Sequence, residues 1–224
     1  AWADRLMAFI AEEATKASRD LAARRGVFPN WARSVYAASG ERIRNATRLS
    51  IAPTGTISII AGTSGGIEPL FALAYRREHT LGGAPLVEVN PIFQRYAEEH
   101  RLDAKHLLEQ VLEKGHLRDV PGVPEETRRL FVTAAEISLH RHLQIQQAFQ
   151  HHVDNAVSKT VNLPEESDPQ EVAQAYLEAW RLGLKGITIF RSGSKDAQVL
   201  TLGVGEDATS REFFAKCDPG ACRL

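Results

Sequence analysis

The residues best suited to chemistry lie in one short internal stretch and in one pair near the end of the chain. The stretch is "IAPTGTISIIAG", Ile51 to Gly62. Pro53 restricts the direction in which the chain leaves the preceding segment, and Gly55 removes a side chain so that backbone can approach a ligand. Thr54, Thr56 and Ser58 add hydroxyl donors. If a helix begins here, its first N–H groups lack intrahelical acceptors, and with the hydroxyls they form a nest suited to phosphate oxygens. No lysine accompanies them, so this is not the GxxxxGK[ST] loop, and the glycines do not fit GxGxxG. A capped helix start in which Thr54 or Thr56 serves its own backbone, with no ligand, explains the same residues.

A second glycine cluster, "GTSGGIEP" from Gly62 to Pro69, follows at once and implies that something approaches the backbone closely. Gly62, Ser64 and Gly66 also match G-x-S-x-G, so a serine hydrolase with Ser64 as nucleophile and His140, His142, His151 or His152 as base is an alternative. Pro69 stands against it, because the helix after the nucleophile should be under way there. Glu68 suits either a structural ion pair or a ligand cavity. The cysteines are Cys217 and Cys222 in "CDPGAC". Pro219 and Gly220 allow a turn that brings two sulfurs together, and Lys216 and Arg223 favour thiolate. A redox pair, an inert tail and half of a zinc site all fit; the last needs two more ligands. No metal site is expected, since His140 and His142 point in different directions on a helix.

These groups must be positioned by an alternating α/β chain. Leu6, Phe9, Ile10, Ala14, Ala17 and Leu21 recur at spacings of three and four, predicting an amphipathic helix over 3–25 that stops at Gly26. Strands are predicted in "TRLSIA" (47–52), "LFALAY" (70–75), "KTVNL" (159–163) and "GITIF" (186–190). Asn90 before Pro91, Asp103, and Asp168 before Pro169 mark helix starts, and a further helix covers about 136–153. Asp154 and Asn155 read as a helix stop before a strand. Strands separated by helices of this length predict βαβ units and a parallel sheet.

The 224 residues carry a net charge of -1 with 43% apolar residues, which describes a globular protein without a general field for nucleic acid. Neither a membrane-spanning run nor a secretory signal is present, so a cytoplasmic location and no membrane partner are expected.

Four blocks, "RNATRLSIAPTGTISIIAGTSGGIEPLFALAYRRE" (44–78), "VEVNPIFQRYAEE" (87–99), "QQAFQHHVDNAVSKTVNLP" (146–164) and "AWRLGLKGITIFRSGS" (179–194), closely resemble the catalytic subunit of adenosylcobalamin-dependent (class II) ribonucleotide reductases. The resemblance implies an α/β fold, the carboxyl-terminal half of a ten-stranded α/β barrel over residues 1–200, with 201–224 as a tail carrying the cysteine pair. It implies that Ala52, Pro53, Thr54, Gly55, Thr56 and Ile57 contact the substrate's diphosphate. It also implies that Cys217 and Cys222 pass electrons from thioredoxin or glutaredoxin to the active site. The implied reaction converts ribonucleotides to 2′-deoxyribonucleotides by thiyl-radical chemistry with adenosylcobalamin. No cysteine lies in the body of the chain to be the radical site. The expectation is therefore a part of the enzyme, inactive alone, that requires the amino-terminal part of the reductase and can associate with another copy. A non-catalytic nucleotide- or phosphate-binding domain is the alternative.

Overall fold

The computed structural model describes residues 2–77, 86–102, 104–194 and 200–202. They form two compact units, one from Ala1–Glu68 with Ser138–Arg191, the other built on Pro69–Ile137 with the described residues after Arg191.

The first unit opens with α1 (Trp2–Arg25), ended by Gly26 at φ +77, which donates its N–H to the Ala22 carbonyl at 2.9 Å. The helix was expected from its apolar spacing, but the buried side is Met7, Ser18 and Ala22, while Leu6 and Phe9 are 55% and 62% exposed. Short α2 (Val35–Ala38) and α3 (Gly55–Ala61) follow. After the second unit come α7 (Leu139–Gln150), β3 (Thr160–Leu163), α8 (Pro169–Arg181) and β4 (Thr188–Arg191). The β3–α8–β4 run is the expected βαβ unit: β3 and β4 are parallel, with Thr160 opposite Thr188 and Leu163 opposite Arg191. Asp168 starts α8 by accepting from the Glu171 N–H at 2.9 Å, and Pro169 occupies the first turn, where a missing N–H costs nothing. Leu143, Val161, Leu163 and Ala179 form the core between helices and strands, joined by Val172 and Ile189.

In the second unit, β1 (Ala74–Arg77) lies between β2 (Leu86–Val89) and β5 (Leu200–Leu202), antiparallel to both. This departs from the all-parallel expectation. Only eight residues separate Arg77 from Leu86 in the sequence, fewer than the dozen or more that a parallel crossover requires. Helices α4 (Pro91–Glu99), α5 (Ala104–Lys114) and α6 (Glu125–Leu130) complete the unit, and α4 and α5 share a buried cluster with Leu73 and Ala74. Asn90 accepts from the N–H groups of Ile92 and Phe93, both at 3.0 Å, as its place before Pro91 predicted. The predicted cap Asp103 lies outside the described residues.

The predicted strand over 47–52 does not form. Only Ile51 pairs, as an isolated parallel bridge to Val157. The backbone N–H groups of Arg48 and Leu49 that a ladder would use are taken by the Asp154 carboxylate, at 2.7 and 3.1 Å. Among the described residues the strands close no barrel. No helix among them is long and apolar enough to cross a membrane.

Candidate functional site

The turn at 52–57 is reached through a segment held by side chains. Asp154, expected only to stop a helix, accepts from Arg48 Nη2 at 2.8 Å as well as from the two backbone N–H groups. Arg48 also donates to Thr15 Oγ1 at 3.1 Å and lies over the Tyr36 ring at 5.7 Å. Burial works against the Asp154 charge, but the bonds from Arg48 and from the backbone outweigh it and hold the carboxyl below its ordinary value. Beyond it, Ser158 donates its N–H to the Ile51 carbonyl at 2.9 Å.

Thr54 then turns the chain into α3 with φ 50 and ψ 26, a left-handed conformation uncommon outside glycine. Such a backbone persists where its surroundings hold it. The hold comes from Thr54 Oγ1, which accepts from the Gly66 N–H at 2.9 Å instead of capping the helix. The first intrahelical bond runs from the Ser58 N–H to the Thr54 carbonyl at 2.8 Å. The N–H groups of Gly55, Thr56 and Ile57 therefore have no acceptor among the described residues, and all three residues are exposed. Three parallel donors with a free Thr56 hydroxyl beside them can bind an anion without first breaking a protein hydrogen bond. Ala52 and Pro53 flank them, also exposed. Ser58 does not join the set, because its buried hydroxyl donates to the Gly55 carbonyl at 2.9 Å.

The second glycine cluster is explained by the chain's own backbone. A Cβ on Gly65 would stand 3.0 Å from the Pro53 carbonyl oxygen, and one on Gly66, at φ +53, 2.8 Å from that of Ala52. The close approach expected from two glycine turns is thus that of residues 65–66 against 52–53. Ser64 lies in an irregular turn with no helix after it and no hydrogen bond to a histidine, so the hydrolase constellation does not assemble. His140 pairs with Glu178 and His152 with Asp4, while His142 is fully buried.

Glu68 makes the structural ion pair, and its partner was missed. Lys159 Nζ lies 2.9 Å from Glu68 Oε2, with its side chain wholly buried. It also meets His142 Nδ1 at 2.8 Å and donates to the Thr160 carbonyl. Glu68 Oε1 accepts from the Thr160 N–H at 2.5 Å. Burial pushes the lysine below its ordinary value, and the Glu68 carboxylate pulls the other way. A signal existed in the sequence: Val157, Lys159, Val161 and Leu163 alternate, and all four are buried. Cys217 and Cys222 lie outside the described residues. Among the described residues no group of three or more His, Cys, Asp or Glu converges as a metal site.

Residues 1–190 match the family described as ribonucleotide reductase, barrel domain, and the chain belongs to that family. A vitamin B12-dependent ribonucleoside-diphosphate reductase of Thermoplasma acidophilum is 46% identical over 209 residues, spanning 93% of this chain and 27% of that protein. One of the same description from Mycobacterium tuberculosis is 44% identical over 225 residues, 99% of this chain and 31% of the other. Among solved structures, the class Id ribonucleotide reductase alpha subunit of Actinobacillus ureae superposes with a TM-score of 0.70 at 26% identity, covering 85% of this chain and 34% of that one. The chain thus spans from 27% to 34% of the length of these relatives.

Proposed function

We propose that this chain is the carboxyl-terminal part of a cobalamin-dependent ribonucleotide reductase, one side of its ten-stranded barrel, and that it holds the substrate's diphosphate at residues 52–57. The observation that carries the reading is the row of unsatisfied N–H groups at Gly55, Thr56 and Ile57, open to solvent. The names of the relatives, which are ribonucleoside-diphosphate reductases, supply the class of anion.

In the complete enzyme the ribose 2′-hydroxyl leaves as water while two thiols are oxidised to a disulfide. Cys217 and Cys222 are the pair we assign to re-reducing that disulfide with electrons from a thioredoxin- or glutaredoxin-type protein, in the cytoplasm. Cobalamin would initiate the radical chemistry in the complete enzyme. What these residues do is bind and orient: donors fixed in advance grip the diphosphate and present the ribose to the rest of the barrel. The cysteine count leaves no radical site in the body of this chain, so residues 1–224 alone give no turnover with adenosylcobalamin. The exposed Tyr176, Leu177 and Trp180 of α8 suit packing against further protein.

The test is titration of the chain with CDP and with inorganic pyrophosphate, followed by amide NMR. Both should shift the Gly55, Thr56 and Ile57 resonances with saturation, and cytidine alone should not. Shifts elsewhere with these three unmoved would remove the diphosphate site from this turn.

A further inference from the structure

The turn at 52–57 combines a threonine in a glycine-like conformation with a helix of only seven residues behind it, so its own elements do not account for its conformation. Something must hold it, and the hydrogen bonds lead inward. Thr54 is held by the Gly66 N–H, and Gly66 lies two residues before Glu68. Both Glu68 oxygens are bound at the start of β3, one by the Thr160 N–H and one by Lys159. Lys159 in turn uses its three donors on Glu68, His142 and the Thr160 carbonyl, so it is fixed between α7 and β3. A buried ion pair of this kind is a weak source of stability, because desolvation of both charges offsets their attraction. Its attested use is to select one arrangement among several of similar energy.

We infer that Glu68 and Lys159, backed by His142, are positioning residues that set the conformation of the 62–68 loop and, through the Gly66 to Thr54 bond, the direction of the N–H groups at 55–57. The inference rests on the anion-binding reading of that turn. With the pair intact, Glu68 is drawn onto β3, residues 65–66 lie against the carbonyls of Pro53 and Ala52, and Thr54 is kept left-handed. With the pair broken, the loop loses its inner anchor while the helices and strands around it keep their own cores.

The experiment compares the wild-type chain with Glu68→Gln, Lys159→Met and the double variant. Each is read by calorimetry with inorganic pyrophosphate, by amide exchange at Gly66 and by thermal melting. Glu68→Gln should bind pyrophosphate about tenfold more weakly, the scale at which outer supports of a site act, and Gly66 should exchange faster. Adding Lys159→Met removes the uncompensated buried ammonium, so the melting temperature should recover while affinity stays reduced. That split is the outcome a merely structural role would not give. If Glu68→Gln fails to fold, the charge-neutral double variant carries the test. Wild-type affinity together with wild-type Gly66 protection in any folded variant overturns the inference, as does affinity that tracks melting temperature across the set. If the wild type itself does not bind pyrophosphate, the diphosphate reading falls, and Gly66 exchange alone decides whether the pair holds the loop.

Discussion

In the unit built on Pro69–Ile137 the interior is carried by carbon: Leu73, Phe93, Ala97, Val111, Leu117 and Val120 form one buried cluster, and Phe131 meets both Phe93 and Tyr96 edge-on at 5.1 Å. In the unit that holds the 52–57 turn, His142, Gln146, Gln150 and Lys159 are buried among smaller apolar clusters. Their work there is to serve backbone. Gln146 Nε2 donates to the carbonyls of Val157 and Gly186, and Gln150 Nε2 to that of Asn155. The contrast teaches that an apolar core suffices where strands and helices satisfy their own peptide groups. Polar side chains go inside where irregular segments have to be held.

If that contrast is right, the largest loss of stability comes from the apolar side. Phe93→Ala should cost about 3–5 kcal/mol, since a fully buried ring that packs edge-on against Phe131 is removed from the cluster. Denaturant unfolding measures it; a loss below that of any polar variant described next would invert the comparison.

Asp154→Asn is the next in size, at about 1.5–3 kcal/mol, the range for hydrogen bonds to charged groups. It leaves Arg48 half-buried without its counter-charge and weakens the hold on the Arg48 and Leu49 N–H groups. The pH dependence has a definite sign. The folded carboxyl titrates below its ordinary value, so its contribution is present above the unfolded value and lost as pH falls through the folded one. The gap between wild type and variant should therefore be full at neutral pH and narrow below about pH 4. A gap independent of pH would show that the carboxylate charge is not what holds this segment.

How much of this was readable beforehand differs between the same two kinds of region. Local signals held: Asn90 and Asp168 cap the helices they precede, Gly26 ends α1, and "KTVNL" and "GITIF" become the parallel pair β3 and β4. Each depends on residues within a few positions of one another. The stretch 47–52 was misread because its N–H groups go to a carboxylate 106 residues away, which no local pattern announces. The direction of α1 was misread for a related reason. Its apolar residues face both sides, and its buried residues are chosen by distant segments: Met7 packs in a cluster with Phe149 of α7, and Ser18 bonds Asn45 and the Arg44 N–H. At the turn, a helix start with free N–H groups at 55–57 was visible from residue types, but the purpose of Gly65 and Gly66 was not. Only the geometry shows that the nearby atoms are the chain's own carbonyls.

Gly66→Ala tests that last point. A left-handed backbone costs an ordinary residue about 1–2 kcal/mol, and the added Cβ would stand 2.8 Å from the Ala52 carbonyl oxygen, so residues 65–67 must shift. The variant should stay folded, lose protection at the residue 66 amide, and bind pyrophosphate less well. Unchanged affinity would mean that the loop is packing alone and does not shape the turn.

The smallest effect separates binding from support. Thr56 is exposed, has no hydrogen-bond partner among the described residues, and sits one residue inside α3 beside the free N–H groups. Thr54 cannot serve this purpose, because its oxygen already accepts from Gly66 and its removal would disturb the loop. Thr56→Val keeps the branched shape and deletes one donor, so unfolding should be unchanged while pyrophosphate affinity falls by roughly 1 kcal/mol, the net worth of a typical hydrogen bond where water can take its place. Equal affinity of Thr56→Val and wild type, with the Gly55 to Ile57 amides still shifting on titration, would leave the backbone as the sole ligand. A fall in stability instead would place the hydroxyl with the supporting polar groups of the interior, on the other side of the comparison.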